Sequence, residues 1–269
     1  MNVTVVIPVH NQLHFTRQCL ESLHACGYGD EMIVVINNAS TDGTAEFLAT
    51  RPALRVITNL ENRACAAAWN QGFQAGTTRW TMFLNNDTMV SPGWLEGLVA
   101  FAESEQVDIA SPAMCEGGLD YDLPRYAHNF TAQMKGVSRR GVAWGAAFMV
   151  SRRVVETIGG FDENFRRGGN EDDDFFLRAR RAGFRLAVTG GAYIHHFGGT
   201  TQNAVIAEHG RSREETIGYF RKKWGMHWAK RRWLRFRRRT TETWWCWNER
   251  VRHRRTLREL HLEEKIIYR

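Results

Sequence analysis

The run WTMFLNNDTM at residues 80–89 constrains this chain more than any other stretch. Trp80 to Leu84 is apolar and unbroken, the length of one buried strand, and it stops abruptly at Asn85-Asn86-Asp87-Thr88. A strand that delivers a carboxylate at its C-terminal end is the arrangement that active sites use in open α/β sheets. In an extended segment Asn85 and Asp87, two apart, point the same way. Their hard oxygens suit Mg²⁺ or Mn²⁺ better than Zn²⁺. Taken alone, such a turn is more often held by local side-chain bonds than by a metal. The rest of the chain changes the balance.

Val3 to Val9 is a β-branched run that ends in a turn at His10-Asn11, and Leu13 to Ala25 follows with helical spacing. Met32 to Ile36 reads as a second strand, closed by the polar loop Asn37 to Gly43 and a short helix. Leu54 to Thr58 is a third strand. Asn62 to Gly76 is a helix whose small residues allow close approach to a neighbour. This alternation predicts an α/β fold with a mainly parallel central sheet flanked by crossover helices. It puts the loops at 8–12, 37–43 and 85–88 on one edge, where a ligand belongs. G-x-G-x-x-G is absent after the first strand, as is the P-loop pattern, so phosphates must be held another way.

Residues 93–104 read as a helix and Val107 to Ala110 as a strand, after which 112–142 shows no period. A stretch that long is expected to be functional or partly disordered. Gly145 to Val150 is a small-residue strand and 162–170 a polar loop. Glu171 to Ala182 is a helix with acids in its first turn and arginines near its end, matching the helix dipole. Short strands at 185–188 and 193–196 bring in His195 and His196. Each polar cluster has an ordinary reading as a cap, an Asx turn or a bonded structural histidine; their order and spacing together favour chemistry.

Charge divides the chain. Residues 203–269 carry 19 Lys/Arg and 8 Asp/Glu, a net of +11, so a whole-chain net of +7 leaves −4 on residues 1–202. The expected organisation is a body over 1–202, with halves at about 1–110 and 111–202, and a basic Trp/Arg-rich helical extension over 203–269. Five cysteines without C-x-x-C point to reduced thiols. With no membrane-length apolar run and no signal-peptide pattern, a cytoplasmic protein is expected.

Eight segments together carry a resemblance: VVIPVHNQ (5–12), NNASTDGT (37–44), ENRACAAAWNQG (61–72), FLNNDT (83–88), WGAAFMVSRR (144–153), GGFDENF (159–165), EDDDFFLRARRAGF (171–184) and HHFGGTT (195–201). In this order they resemble the family 2 inverting nucleotide-sugar glycosyltransferases of GT-A fold, a single Rossmann-like domain. The LNNDT form is similar to bacterial rhamnosyltransferase-like enzymes of cell-surface polysaccharide synthesis. The resemblance implies that Pro8, Val9, Asn11, Asn37, Asn38 and Asp42 line the donor nucleotide, with Asn62, Asn70, Asn85 and Asn86 completing the nucleotide-sugar site. It implies that Asp87, with His195, binds Mg²⁺ or Mn²⁺ at the diphosphate, with His196 close enough to compete for the assignment. Asp172 takes the place of the general base, and Trp144, Gly145 and Glu171 lie on the acceptor side. Asn37 stands where relatives usually carry an Asp that reads the base, and Asn85 replaces the first acid of the metal motif. A UDP- or dTDP-linked donor and a glycan or lipid-linked acceptor are the implied substrates.

Two other classes compete. A sugar nucleotidyltransferase would carry a Gly-rich basic loop after the first strand, where this chain has PVHNQ. A nucleic-acid-binding protein would act through the tail. In that tail HWAKRRWLRFRRR (227–239) and WWCWNERVRHRR (244–255) interleave Trp with Arg, which suits an anionic membrane interface. The expectation is peripheral contact at the inner face of the cytoplasmic membrane, ahead of nucleic acid and of a solvated helix.

Overall fold

The structure, a computed structural model, describes residues 2–166, 168–198, 213–262 and 265–268. Four parallel strands lead: β1 (Val3–Val9), β2 (Ile33–Asn38), β3 (Arg55–Asn59) and β4 (Trp80–Leu84), in the spatial order β3-β2-β1-β4. Helices α1 (Leu13–Ala25), α2 (Thr44–Ala49) and α3 (Ala64–Ala75) make the crossovers. Beyond β4 the sheet turns mixed. β8 (Ala147–Ser151) runs antiparallel to β4, with Leu84 opposite Ala147, and β6 (Ile109–Gly117) runs antiparallel to β8. β9 (Leu186–His196) is parallel to β6 and also pairs with the short β5 (Thr88–Val90) and β7 (Ser138–Arg140). Helices α4 (Trp94–Ser104), α5 (Leu123–Met134), α6 (Arg152–Ile158) and α7 (Glu171–Arg181) complete the body.

Strand alternation divides the core between the two sheet faces. On one side Val5, Ile7, Met82, Leu84 and Met149 pack with Leu20, Leu23 and Leu98 of α1 and α4. On the other, Val6, Phe83 and Phe148 meet Trp69, Phe161 and Phe175. Trp69 and Phe148 meet edge to face at 5.2 Å, and Phe161 stacks on Phe175 at 4.3 Å. Such pairs add about 0.5–1.5 kcal/mol each beyond burial. The close approach expected of the 62–76 helix is present: a methyl group on Gly72 would overlap Val6.

Residues 112–142, which show no period in the sequence, carry regular elements. β6 extends to Gly117, and α5 buries Leu123, Ala127, Phe130 and Met134 at spacings of four, three and four. Asp122 caps it by accepting from the Arg125 amide at 2.9 Å. The apolar period was present but diluted by the intervening Tyr, His and Arg. The strands expected at 185–188 and 193–196 are one, β9, with a register shift opposite Pro112 and Ala113.

The C-terminal extension is helical as expected, with α8 (Arg213–Lys223) and the long α9 (Trp228–His253), and then it re-enters the sheet. β10 (Arg258–Leu262) lies parallel to β6, where β8 has ended, and β11 (Lys265–Tyr268) pairs with β10. The hinge of this return is Glu249, which accepts two bonds of 2.7 Å from Arg139 and one of 3.0 Å from the Leu257 amide. Among the described residues no helix is long and apolar enough to cross a membrane.

Candidate active site

The C-terminal ends of β1, β2 and β4 meet at one edge, as the alternation requires. Asn11 and Gln12 both take left-handed backbone, with φ of 54° and 62°. The two loops beyond β1 and β2 are laced together. The Asn11 amide donates to Ser40 Oγ (2.9 Å), Thr41 N–H donates to Asn11 Oδ1 (2.8 Å), and the Leu13 amide donates to Asp42 Oδ2 (2.8 Å). Burial pushes the Asp42 carboxyl up, but bonds from the Thr44 hydroxyl and the Leu13 amide outweigh it, and the net direction is down. Pro8 and Val9 sit at the base of this cradle, Pro8 half-buried and Val9 buried.

The asparagines of the expected donor site divide into two groups. Asn37 is buried, and its Oδ1 accepts from the Ser40 amide at 3.1 Å, so it shapes the turn beneath the cleft. Asn38 faces inward, accepting from Asn59 Nδ2 at 2.7 Å and donating to the Ala64 carbonyl. Asn62 accepts from the Ala64 amide at the start of α3. Asn70 holds Phe161 by both its N–H and its carbonyl, at 2.8 and 2.9 Å, and also donates to Glu163. Asn38 and Asn70 thereby make internal bonds that set the loops. Asn86 is buried and donates to Thr16 Oγ1 at 3.0 Å, fixing the turn after β4 to α1. Asn85, half-buried, stays at the mouth, its amide donating to the Ala146 carbonyl at 2.9 Å.

Asp87 is buried, and its Oδ1 lies 3.3 Å from His196 Nε2. β5 and β9 pair Thr88 with His196, which brings the two side chains together. His196 Nδ1 lies 3.3 Å from Glu116 Oε1, and Arg258 of β10 lies 2.7 Å from Glu116 Oε2. Burial lowers the imidazole pKa, but the two flanking carboxylates outweigh it and hold His196 up at about 9. Glu116, pushed up by burial, is drawn down to about 2 by His196 and Arg258.

His195 is on the opposite side of β9. Its Nε2 donates to the Gly117 carbonyl (3.0 Å), which leaves Nδ1 to accept from the Tyr121 hydroxyl (2.9 Å). Burial holds it neutral, with its pKa lowered to about 4. With both ring nitrogens engaged away from Asp87, the histidine at the acid is His196, not His195; successive residues of a strand face opposite ways.

The third wall is the first turn of α7. Asp172 packs so closely on Gly145 that a methyl group there would overlap Oδ2. Gly145 precedes Ala146, the residue that accepts from Asn85, so Asp172 lies across the mouth from the end of β4. Trp144, half-buried, is held by its amide on Ser111 Oγ at 3.0 Å. Burial first, then the neighbouring charge of Asp173, raises the Asp172 pKa above the usual carboxylate range. Glu171 is buried beside it and raised further, by burial and then by Asp172. The Cys65 thiol is pushed well up by burial and then by the charges of Glu171, Asp172 and Asp87, which marks where the three acids converge.

Glu116 and Arg258 lay outside the sequence reading. A lone Glu in an apparently aperiodic stretch and one Arg in a basic tail carry no signal of their own. The strand register that sets Glu116 opposite His196 is what reveals them.

A family model described as glycosyl transferase family 2 matches residues 4–159, more than half of the chain. The chain belongs to glycosyl transferase family 2. A second model, described as the N-terminal domain of galactosyltransferase, matches residues 127–199 of this family 2 chain. Among curated relatives, glycosyltransferase AglE of Haloferax volcanii is 29% identical over 198 residues, 68% of this chain and 63% of that protein. A pre-mycofactocin glycosyltransferase of Mycobacterium tuberculosis is 28% identical over 207 residues, 72% of this chain and 42% of that protein. The chain thus spans less than two thirds of the length of either relative. The fold is shared with GalNAc-T7, solved with UDP, GalNAc and Mn²⁺ (TM-score 0.59, 16% identity, 73% of this chain and 44% of that one). It is shared too with the mannosyltransferase PcManGT of Pyrobaculum calidifontis, solved with GDP-Man and Mn²⁺ (TM-score 0.57, 20% identity, 77% and 61%).

Proposed function

We propose that this family 2 chain moves a sugar, with inversion, from a UDP- or dTDP-linked donor to a hydroxyl of a glycan or lipid-linked acceptor in cell-surface polysaccharide synthesis. On this reading it works at the inner face of the cytoplasmic membrane. The observation that supports the reading is one sheet edge holding two separate acidic groups: the buried Asp87–His196 pair, and Asp172 across the mouth on Gly145.

The pair fits a divalent cation. It offers one hard carboxylate oxygen and one imidazole nitrogen aimed at each other, donors that would suit Mg²⁺ or Mn²⁺. Among the described residues no group of three or more His, Cys, Asp or Glu is placed to hold a metal ion. Asp87 would hold the ion, with His196 in the place first given to His195, once its proton has left. When bound, a cation here supplies charge stabilisation to the departing nucleoside diphosphate.

The remaining work belongs to the chain. The laced loops at Asn11 and Asp42 shape the base and ribose pocket, with Asn37 beneath it. Asp172 takes the acceptor hydroxyl's proton as that oxygen attacks the anomeric carbon from the face opposite the leaving group. One displacement inverts the centre, so one base suffices. Its raised pKa strengthens it as a base while leaving it ionised near neutrality. Glu171 keeps its proton more tightly, so the first turn holds less negative charge than four acids suggest.

Calorimetric titration of UDP, dTDP, GDP and CDP, with and without Mn²⁺, on wild type and Asp87→Ala tests this. The expected result is metal-dependent binding of UDP or dTDP that the variant loses. A folded protein that binds none of the four overturns the reading.

A further inference from the structure

Helix α9 carries a surface that the transfer reaction does not use. Trp233, Phe236, Trp244, Trp247 and Val251 are all more than half exposed, at 55%, 68%, 57%, 61% and 63%. Their spacings of three, eight, three and four put them on one face of the helix, with Thr240 bridging the gap. The opposite face is already in use: Glu249 is buried on Arg139, and Trp245 lies under the same guanidinium. Beside the apolar stripe the exposed Arg232, Arg235 and Arg239 repeat at helical spacing.

The charge of this helix selects the occupant. Between Trp228 and His253 there are nine Lys/Arg and two Asp/Glu. Both acids are taken by guanidinium groups, Glu242 by Arg238 at 2.8 Å and Glu249 by Arg139 at 2.7 Å. A second copy seated on the stripe would bring two such basic faces together and be repelled. Duplex nucleic acid would satisfy the arginines but, with its bases stacked inside, leave the apolar ridge with nothing to bury it. A bilayer surface rich in anionic lipid satisfies both parts, with rings at headgroup depth and guanidinium groups on phosphates.

We propose that α9 is an in-plane membrane anchor that docks this chain on anionic phospholipid. The site's position gives the anchor a purpose, and this step rests on the transferase reading. Asp174, two residues after Asp172, accepts from Lys223 Nζ at 2.8 Å and from Trp224 Nε1 at 3.0 Å, just before α9 begins. Toward the middle of α9, Arg238 lies within the field of Asp173 on α7, and Arg237 within reach of Arg180. The turn that carries Asp172 therefore stands beside the membrane-seeking helix, and the acceptor it serves is one carried on a lipid.

The test is flotation of the full chain with vesicles of phosphatidylcholine containing about 30% phosphatidylglycerol, at about 0.15 M salt. Wild type is compared with Trp233→Ala/Trp244→Ala/Trp247→Ala and with Arg232→Gln/Arg235→Gln/Arg239→Gln, and UDP binding is measured on each. The expected result is flotation with the anionic but not the pure phosphatidylcholine vesicles, weakened at least about tenfold in both variants, with UDP affinity unchanged. A wild type that stays at the bottom of the gradient overturns the anchor. So does flotation indifferent to the aromatic variant, or a duplex DNA that binds at the same salt and displaces the vesicles. A concentration-dependent dimer lost in the aromatic variant, without flotation, assigns the stripe to a second copy instead. Flotation does not depend on the donor, so loss of UDP binding in a protein that floats strikes the transferase reading alone.

Discussion

Arg258 Nη2 lies 2.7 Å from Glu116 Oε2, joining the C-terminal strand β10 to the carboxylate that backs His196. The extension is thus part of the site's support. Glu116 orients the imidazole that faces Asp87, and Arg258 keeps Glu116 ionised. Outer partners of this kind typically change metal affinity about 10–100-fold. Glu116→Gln is expected to weaken Mn²⁺ binding by roughly that factor, and Arg258→Ala by less, because Arg258 is partly solvated. Titration of Mn²⁺ by electron paramagnetic resonance reads this without turnover; unchanged affinity in Glu116→Gln would remove Glu116 from the site's support.

The same pair of carboxylates sets a pH dependence. The folded pKa of His196, about 9, lies above its ordinary 6.5, so its ion pairs stabilise the metal-free protein fully below 6.5 and progressively less as pH rises through 9. The loss is on the order of 2–4 kcal/mol. His195 acts in the opposite sense, since its folded pKa of about 4 costs stability as pH falls from 6.5 towards 4. Thermal unfolding of wild type and His196→Ala across this range separates the two: the alkaline decline should vanish in the variant and the acid decline remain.

Gly145 and Asp172 form a steric couple. Gly145→Ala places a methyl group on Asp172 Oδ2 and must turn the carboxylate or shift the first turn of α7. Loss of a general base costs typically about 10²–10⁴ in rate. Asp172→Asn is expected to lose kcat in that range, and Gly145→Ala to lose part of it, with donor affinity held within about threefold because the proposed reading puts both residues on the acceptor side. Steady-state kinetics beside UDP calorimetry make the split visible; equal loss of both quantities in Asp172→Asn would assign it to donor binding instead.

Arg139 and Glu249 are both nearly buried and bonded twice. Removing one partner of such a pair costs about 3–5 kcal/mol, because the other charge stays buried alone. Glu249→Gln also weakens the bond to the Leu257 amide, so the return into β10 should loosen with it. Chemical denaturation of Glu249→Gln, Arg139→Met and the double variant tests the coupling; the double variant is expected to be more stable than the sum of the single losses predicts.

Much of this protein was legible before any coordinates. Apolar runs of strand length, each cut off by Asn, Asp or Pro, establish the α/β order and the edge on which the loops gather, because strand and helix periods are local properties of the chain. The same local logic gathered the loops of Asn11, Asp42 and Asp87 on one edge, whereas Asp172 was assigned to the site by the family resemblance. It failed at 112–142, where the apolar face of α5 is diluted by polar neighbours, and at residues 258–262 and 265–268, where short strands have no period long enough to stand out.

What tertiary structure alone decided is which side chains meet. Two adjacent histidines are equivalent in the sequence; strand alternation sends His196 to Asp87 and His195 to Tyr121. Asn70 and Asn38 sit within family motifs, yet packing turns their amides inward to hold loops. Glu116 and Arg258, 142 positions apart, become partners because β10 completes its hydrogen bonds on the open edge of β6. Local sequence determines which elements form, and long-range strand register, driven by burial and the need to pair backbone groups, determines the company each charged group keeps.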